Sequence, residues 1–271
     1  MALAIPAYTY TGTHAATSDE EYWYIYLKSS GTLTFTEADH TFSVGCVGGG
    51  AGGSNAYSVV MSQTLAHHGG NGGGAGLYSS ADQKVAVKGT GYPVTIGAGG
   101  SAQSNGGTTS AFSVSASGGA VDKGGTGGVP WSGGAAGTRG AALLNRDPYG
   151  GAGGGGGSSC KYEDYEPTYA GGAGGFSGGG KGGTGGNVLS DAVAGTANTG
   201  GGGGGGGGGA FRNGSAYLNA KGGASGGSGI VVLRGKTSDL LPVRFGDTQL
   251  SEIVCNGVKL TSLIYNGTKL F

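Results

Sequence analysis

Three tyrosines and three carboxylates crowd one stretch, residues 160–169: Tyr162, Glu163, Asp164, Tyr165, Glu166 and Tyr169. Tyrosine presents a large amphipathic face at low entropic cost, so such a cluster suits recognition. The same rings could instead pack as a cap over whatever lies beneath them. Trp131 and Tyr149, the latter in an Asp147-Pro148-Tyr149 turn, are candidates of the same kind. Other reactive groups form no constellation. His67 and His68 are adjacent, so in a strand their imidazoles point apart, and no acid or cysteine stands at ligand spacing. His14 and His40 are isolated, and Asp19-Glu20-Glu21 reads as a solvated turn. Cys46, Cys160 and Cys255 are odd in number and far apart, which fits neither a disulfide framework nor a zinc site. No Gly-x-Ser-x-Gly nucleophile motif stands in a strand-turn-helix context. Enzymatic chemistry, a cofactor and a metal are therefore not expected.

What must position the tyrosines is mostly glycine, which supplies 70 of 271 residues, ten of them consecutive at 200–209. Shorter runs lie at 48–53, 150–157 and 171–186. Ordering a residue costs roughly 1–2 kcal/mol, and glycine loses the most freedom. The tracts are thus either disordered linkers or offset that cost collectively. An extended threefold helix rises about 3.1 Å per residue and turns every N–H and C=O outward, toward neighbours that can pair with them. Strand-like segments on both sides of the tracts favour such a packed bundle. Collagen is excluded, because the glycines keep no strict three-residue period and prolines number only six. Zero net charge argues against a nucleic-acid partner. No apolar run is long enough for a membrane-spanning helix, and the first residues, Met1-Ala2-Leu3-Ala4-Ile5, show no signal-peptide pattern.

Residues 1–47 alternate as strands do. Trp23, Ile25 and Leu27 share one face and Tyr22, Tyr24 and Tyr26 the other. Residues 32–36 alternate through Leu33 and Phe35, and Phe42, Val44 and Cys46 line a strand running into the first glycine tract, with Cys46 a small buried residue. Strands are also expected at 85–88, 92–96 and 111–115, and the all-apolar Ile230-Val231-Val232-Leu233 fits a central strand. The expectation is one β-sandwich, split in sequence by a glycine-helix bundle. The side-chain-bearing segments 56–68, 129–131, 141–149, 158–169, 188–197 and 211–221 would be its end loops. Residues 1–235 form that domain.

Residues 236–271 hold a ten-residue repeat. The segments beginning at Val243, Ile253 and Leu263 align, with Asn256-Gly257 and Asn266-Gly267 as two-residue hairpin turns and Gly246-Asp247 a weaker version. Units this small cannot bury a core alone. Val243, Phe245, Ile253, Leu263 and Tyr265 are candidates for a common attachment face.

Several stretches carry a resemblance. They are Tyr8-Thr9-Tyr10-Thr11-Gly12, Ser30-Gly31-Thr32-Leu33-Thr34-Phe35, Val44-Gly45-Cys46-Val47, Tyr92-Pro93-Val94-Thr95-Ile96-Gly97-Ala98-Gly99-Gly100, and Gly226-Gly227-Ser228-Gly229-Ile230-Val231-Val232-Leu233-Arg234. Framing most of residues 8–234, they resemble the glycine-rich domain of bacteriophage tail and fibre proteins. The glycine-then-strand ending also looks like the extracellular glycine-rich domain of the anaplastic lymphoma kinase group of receptors. The resemblance implies an all-β fold: a tumour-necrosis-factor-like or jelly-roll sandwich with an inserted polyglycine II helix bundle. The closest functional analogy, a phage tail-tip adhesin family with a polyglycine-helix sandwich, implies end loops that contact a host receptor, protein or glycan. The chain would then be a virion protein made in the host cytoplasm, held by other virion proteins in a symmetric assembly such as a trimer. The alternative is a head-fibre, capsid-decorating or tail-spacer protein whose loops bind nothing.

Overall fold

The structure is a computed structural model. It describes all residues except 1–4, 62–63, 130–131, 139, 145–147, 152, 161–167, 187, 213–214, 219, 241–242, 246–247, 251–253, 256–257, 260–263, 266–267 and 270–271. Ten strands build a sandwich: β1 (Tyr8–Tyr10), β2 (His14–Ser18), β3 (Tyr22–Leu27), β4 (Gly31–Phe35), β5 (His40–Val47), β6 (Tyr78–Ala86), β7 (Tyr92–Thr95), β8 (Thr109–Ala111), β9 (Val114–Ala116) and β10 (Ile230–Lys236). They form two antiparallel sheets, β1-β4-β7-β8-β9 and β2-β3-β10-β5-β6.

Alternation decides which side chains fill the space between the sheets. Trp23, Ile25 and Leu27 of β3 meet Leu33 and Phe35 of β4, all buried. Trp23 lies edge-on to Phe35 and Phe42, with ring centres 6.4 and 6.0 Å away. Cys46 is in the same core, and burial pushes its thiol up to about 11. Strand β10 pairs with β3 on one side and β5 on the other, so its apolar residues on both faces have a reason.

The opposite face of β3 is not bare. Tyr24 and Val232 are buried beneath a segment that begins at Leu143, and Tyr149 packs against the same group. Leu143 sits over Gly45 so closely that an added Cβ would come within 2.8 Å of its Cδ1. Arg234 ties this cover down by donating from Nη1 to the carbonyl oxygen of Leu144, 2.9 Å away.

Strand positions differ from the sequence pattern in two places. Strand β6 covers Tyr78–Ala86, earlier than the expected 85–88. The expected strand at 111–115 is a hairpin instead, because Phe112 and Ser113 turn the chain with φ of 49° and 61°. Those are the left-handed angles of a two-residue turn, here adopted without glycine or asparagine.

Glycine tracts enter the bundle through three connections of the sandwich: β5 to β6, β7 to β8, and β9 to β10. Gly200–Gly209, the ten-glycine run, is buried throughout. Its carbonyls and N–H groups pair with other tracts at every third residue. Gly202, Gly205 and Gly208 donate to Gly151, Gly154 and Gly157, while Gly203 and Gly206 donate to Ala51 and Ser54. Gly76, Gly73 and Gly70 donate back to Gly200, Gly203 and Gly206. Gly227, Ala224 and Lys221 reach Gly201, Gly204 and Gly207, and Gly180, Gly183 and Gly186 reach Gly202, Gly205 and Gly208. Gly204 completes the ring by donating to Val193. A chain with threefold screw symmetry presents its groups in this three-residue rhythm. A flexible linker would not.

Candidate functional site: the loop-bearing end of the glycine bundle

Hydrogen-bond register fixes which loops share an end. At the sandwich side Gly48 donates to Leu77, Gly76 to Gly200, Gly150 to Thr199 and Gly229 to Gly97. At the other side Ser54 donates to Asn71, Gly128 to Gly156, Gly186 to Gly208, and Ser158 to Ser132. The chain leaves the tracts on this side, remote from the sandwich, in five segments. They are the segments after Ser54, Gly128, Ser158, Gly186 and Gly208.

The loop after Ser54 is itself a small sheet, where sequence alone gave only a loop. Tyr57–Met61 pairs with Thr64–His68, which pairs in turn with Ser159–Cys160. Strand alternation separates the two histidines as expected. His67 faces inward at 5% exposure, and burial lowers its pKa. His68 is half-buried and stacks on Tyr57, ring centres 5.0 Å apart, with the Tyr57 hydroxyl 3.3 Å from its Nδ1. Tyr57 remains 55% exposed, as does Val129, and Val188 is 63% exposed. All three belong to loops at this end. None was singled out from sequence, although Tyr57 is the first aromatic residue after the first glycine tract.

Of the recognition candidates, Tyr169 is at this end. Its backbone forms a two-way bridge with Gly185, both bonds 3.0 Å, and its side chain is half-buried. Tyr162, Tyr165 and Trp131 lie outside the described residues. The bases of their loops are joined: Ser158 Oγ donates to the Ser132 carbonyl oxygen at 2.8 Å. Tyr149 is elsewhere, half-buried over the sandwich beside Leu143. The structure thus divides one candidate set between two ends of the bundle.

Of the attachment candidates, Val243, Phe245 and Tyr265 lie in hairpin strands, while Ile253 and Leu263 fall outside the described residues. Val243–Phe245 pairs with Thr248–Leu250, Val254–Cys255 with Val258–Lys259, and Ile264–Tyr265 with Thr268–Lys269. Among the described residues these strands join neither sandwich sheet. They follow β10 and a 3-10 turn, Thr237–Leu240, where Thr237 donates its N–H to Glu21 and Leu240 packs on the core.

Among the described residues no three His, Cys, Asp or Glu side chains are grouped to hold a metal. Nor is any helix there long and apolar enough to cross a membrane. The class defined by this geometry is an all-β sandwich extended by a hydrogen-bonded lattice of glycine tracts. A family model described as a glycine-rich domain matches residues 28–236, and the chain belongs to that family. No curated protein matches it.

Proposed function

We propose that this chain is a bacteriophage virion structural protein, a tail-fibre or tail-tip adhesin. In this reading the sandwich is of jelly-roll type, the tracts are polyglycine II helices, and the far loops bind a host-surface receptor. The observation that carries it is polarity. Tyr57, Val129 and Val188 are exposed in segments on the side of the bundle away from the sandwich, while β10 starts beside the bundle and runs away from it to Lys236, ahead of the C-terminal hairpins. A two-stranded hairpin is marginal in water, so those units gain most by adding their edges to a partner's sheet. Repeated units suit repeated sites, as in a symmetric particle.

One particle-based assay tests both ends. Alanine at Tyr162, Tyr165 and Tyr169 leaves the melting curve unchanged and abolishes adsorption to host cells. Central aromatic contacts commonly contribute 2 kcal/mol or more, about thirtyfold in affinity each. Ending the chain after Leu240 keeps a folded, soluble domain that no longer enters particles. Full adsorption by the tyrosine variant would leave a decorating or spacer protein as the better account. Aggregation of the shortened chain would make the hairpins an edge cover of this sandwich.

A further inference from the structure

Among the described residues, the cover over the outer face of the second sheet includes Leu143 and Leu144. Beyond it the face displays Tyr22 of β3, Arg234 and Lys236 of β10 and Ser43 of β5, brought side by side by the register Lys236↔Tyr22 and Arg234↔Ser43. A cleft of about 510 Å³ opens there, walled on one side by Asp82 and Gln83 of β6 and bounded at the end by Asp239. That volume falls within the roughly 300–1,000 Å³ usual for small-ligand sites.

The wall is built by a β-bulge. Phe42 pairs with Lys84 while Val44 pairs with Ala81, so Asp82 and Gln83 together face Ser43. Ser43 Oγ donates to Asp82 Oδ1 at 2.5 Å. Gln83 takes φ of 55°, a left-handed angle that a side chain disfavours and glycine accepts freely. Glycine would adopt that angle without strain, whereas Gln83, like Phe112 and Ser113, adopts it with a side chain. Keeping glutamine holds an amide at the cleft wall, and bulges elsewhere serve to re-aim side chains in this way.

The charges are balanced, Arg234 and Lys236 against Asp82 and Asp239. A free anion or cation gains little from such a lining. A ligand bearing many neutral donors and acceptors can pair with groups of both signs in it. The Tyr22 ring, with the Arg234 guanidinium 4.9 Å from its centre, adds a face for aliphatic C–H groups. We propose that this cleft binds a neutral saccharide, as a site separate from the loops at the far end of the bundle.

Gln83→Gly is the decisive variant, because the two roles of the residue move in opposite directions. The full chain is titrated with maltose, lactose and cellobiose, and with galacturonic acid and glucosamine as charged probes, by saturation-transfer NMR. Saturable binding of at least one neutral disaccharide is expected. Gln83→Gly should then melt at the same temperature or higher, yet bind that disaccharide about tenfold more weakly, the scale of one or two lost hydrogen bonds. Tyr22→Leu should weaken it as well, and alanine at Tyr162, Tyr165 and Tyr169 should not. The proposal fails if no neutral disaccharide saturates, if a charged probe binds better, or if Gln83→Gly binds as tightly as the parent chain. Arg234 is no test, because its bond to Leu144 holds the neighbouring cover in place.

Discussion

The sandwich coheres through side chains and the bundle through backbone. Between the sheets Trp23, Phe35, Ile25 and Leu33 exclude water, and each apolar side chain contributes in proportion to the area it hides. In the bundle Gly200–Gly209 is equally buried without any side chain. There N–H and C=O groups bond to the segments on every side of the run, and bringing the tracts that close leaves no room for a Cβ. The two halves therefore fail in opposite ways. A sandwich residue is spoiled by losing atoms and a bundle residue by gaining them.

The largest expected effect lies in the bundle. A Cβ on Gly204 would lie far inside van der Waals contact distance of the Lys181 carbonyl oxygen, with the Gly182 nitrogen 3.0 Å away. Those obstacles are backbone atoms held by their own hydrogen bonds, so they cannot rotate aside. Gly204→Val should prevent cooperative folding of the bundle, seen as loss of amide protection across 48–77 and 150–229 in hydrogen exchange. A melting temperature unchanged by that substitution would mean that the tracts do not pack as described.

The matching change in the sandwich is smaller. Leu33 is fully buried between β3 and β4. Leu33→Ala removes transfer energy and leaves a cavity, together about 2–5 kcal/mol in well-packed cores. Urea denaturation should show that loss with the bundle's exchange protection largely retained. Equal damage to both regions would make them one cooperative unit, and the contrast drawn above would not survive.

The two regions were also unequally legible from sequence. Period-two alternation places Trp23, Ile25 and Leu27 correctly, and it gives β10 a central position from Ile230–Leu233 alone. Hydrophobic alternation could not locate β6, because an edge strand with a bulge alternates poorly around Asp82 and Gln83. Nor could it announce the Phe112-Ser113 turn, made without the residues that normally signal one. In the bundle, glycine runs predict close packing but not partners. Glycine carries no side chain to distinguish one tract from another, so which loops share an end is written only in the hydrogen-bond register. That is why Tyr149 and Tyr169 look alike in sequence and lie at different ends.

The smallest expected effect is a pH dependence that differs between the regions. His40 lies beside Phe35, ring centres 4.8 Å apart, and His67 is buried in the small sheet at the far end. Burial lowers both pKa values, because an imidazolium loses hydration there. A folded-state pKa below the unfolded value of about 6.5 means the unfolded chain binds protons first as pH falls. The stabilisation is therefore complete above about 6.5 and declines on acidification through that value toward the folded one. For His40, Asp39 and Asp239 pull the other way and trim the shift, whereas for His67 the lowering comes from burial. Between pH 7 and 5 the far-end sheet should accordingly lose more amide protection than the sandwich. His67→Gln should remove most of that difference while leaving the sandwich's own pH dependence in place. If the sandwich loosens first, the carboxylates near His40 do not offset its burial, and the ordering of the two regions reverses.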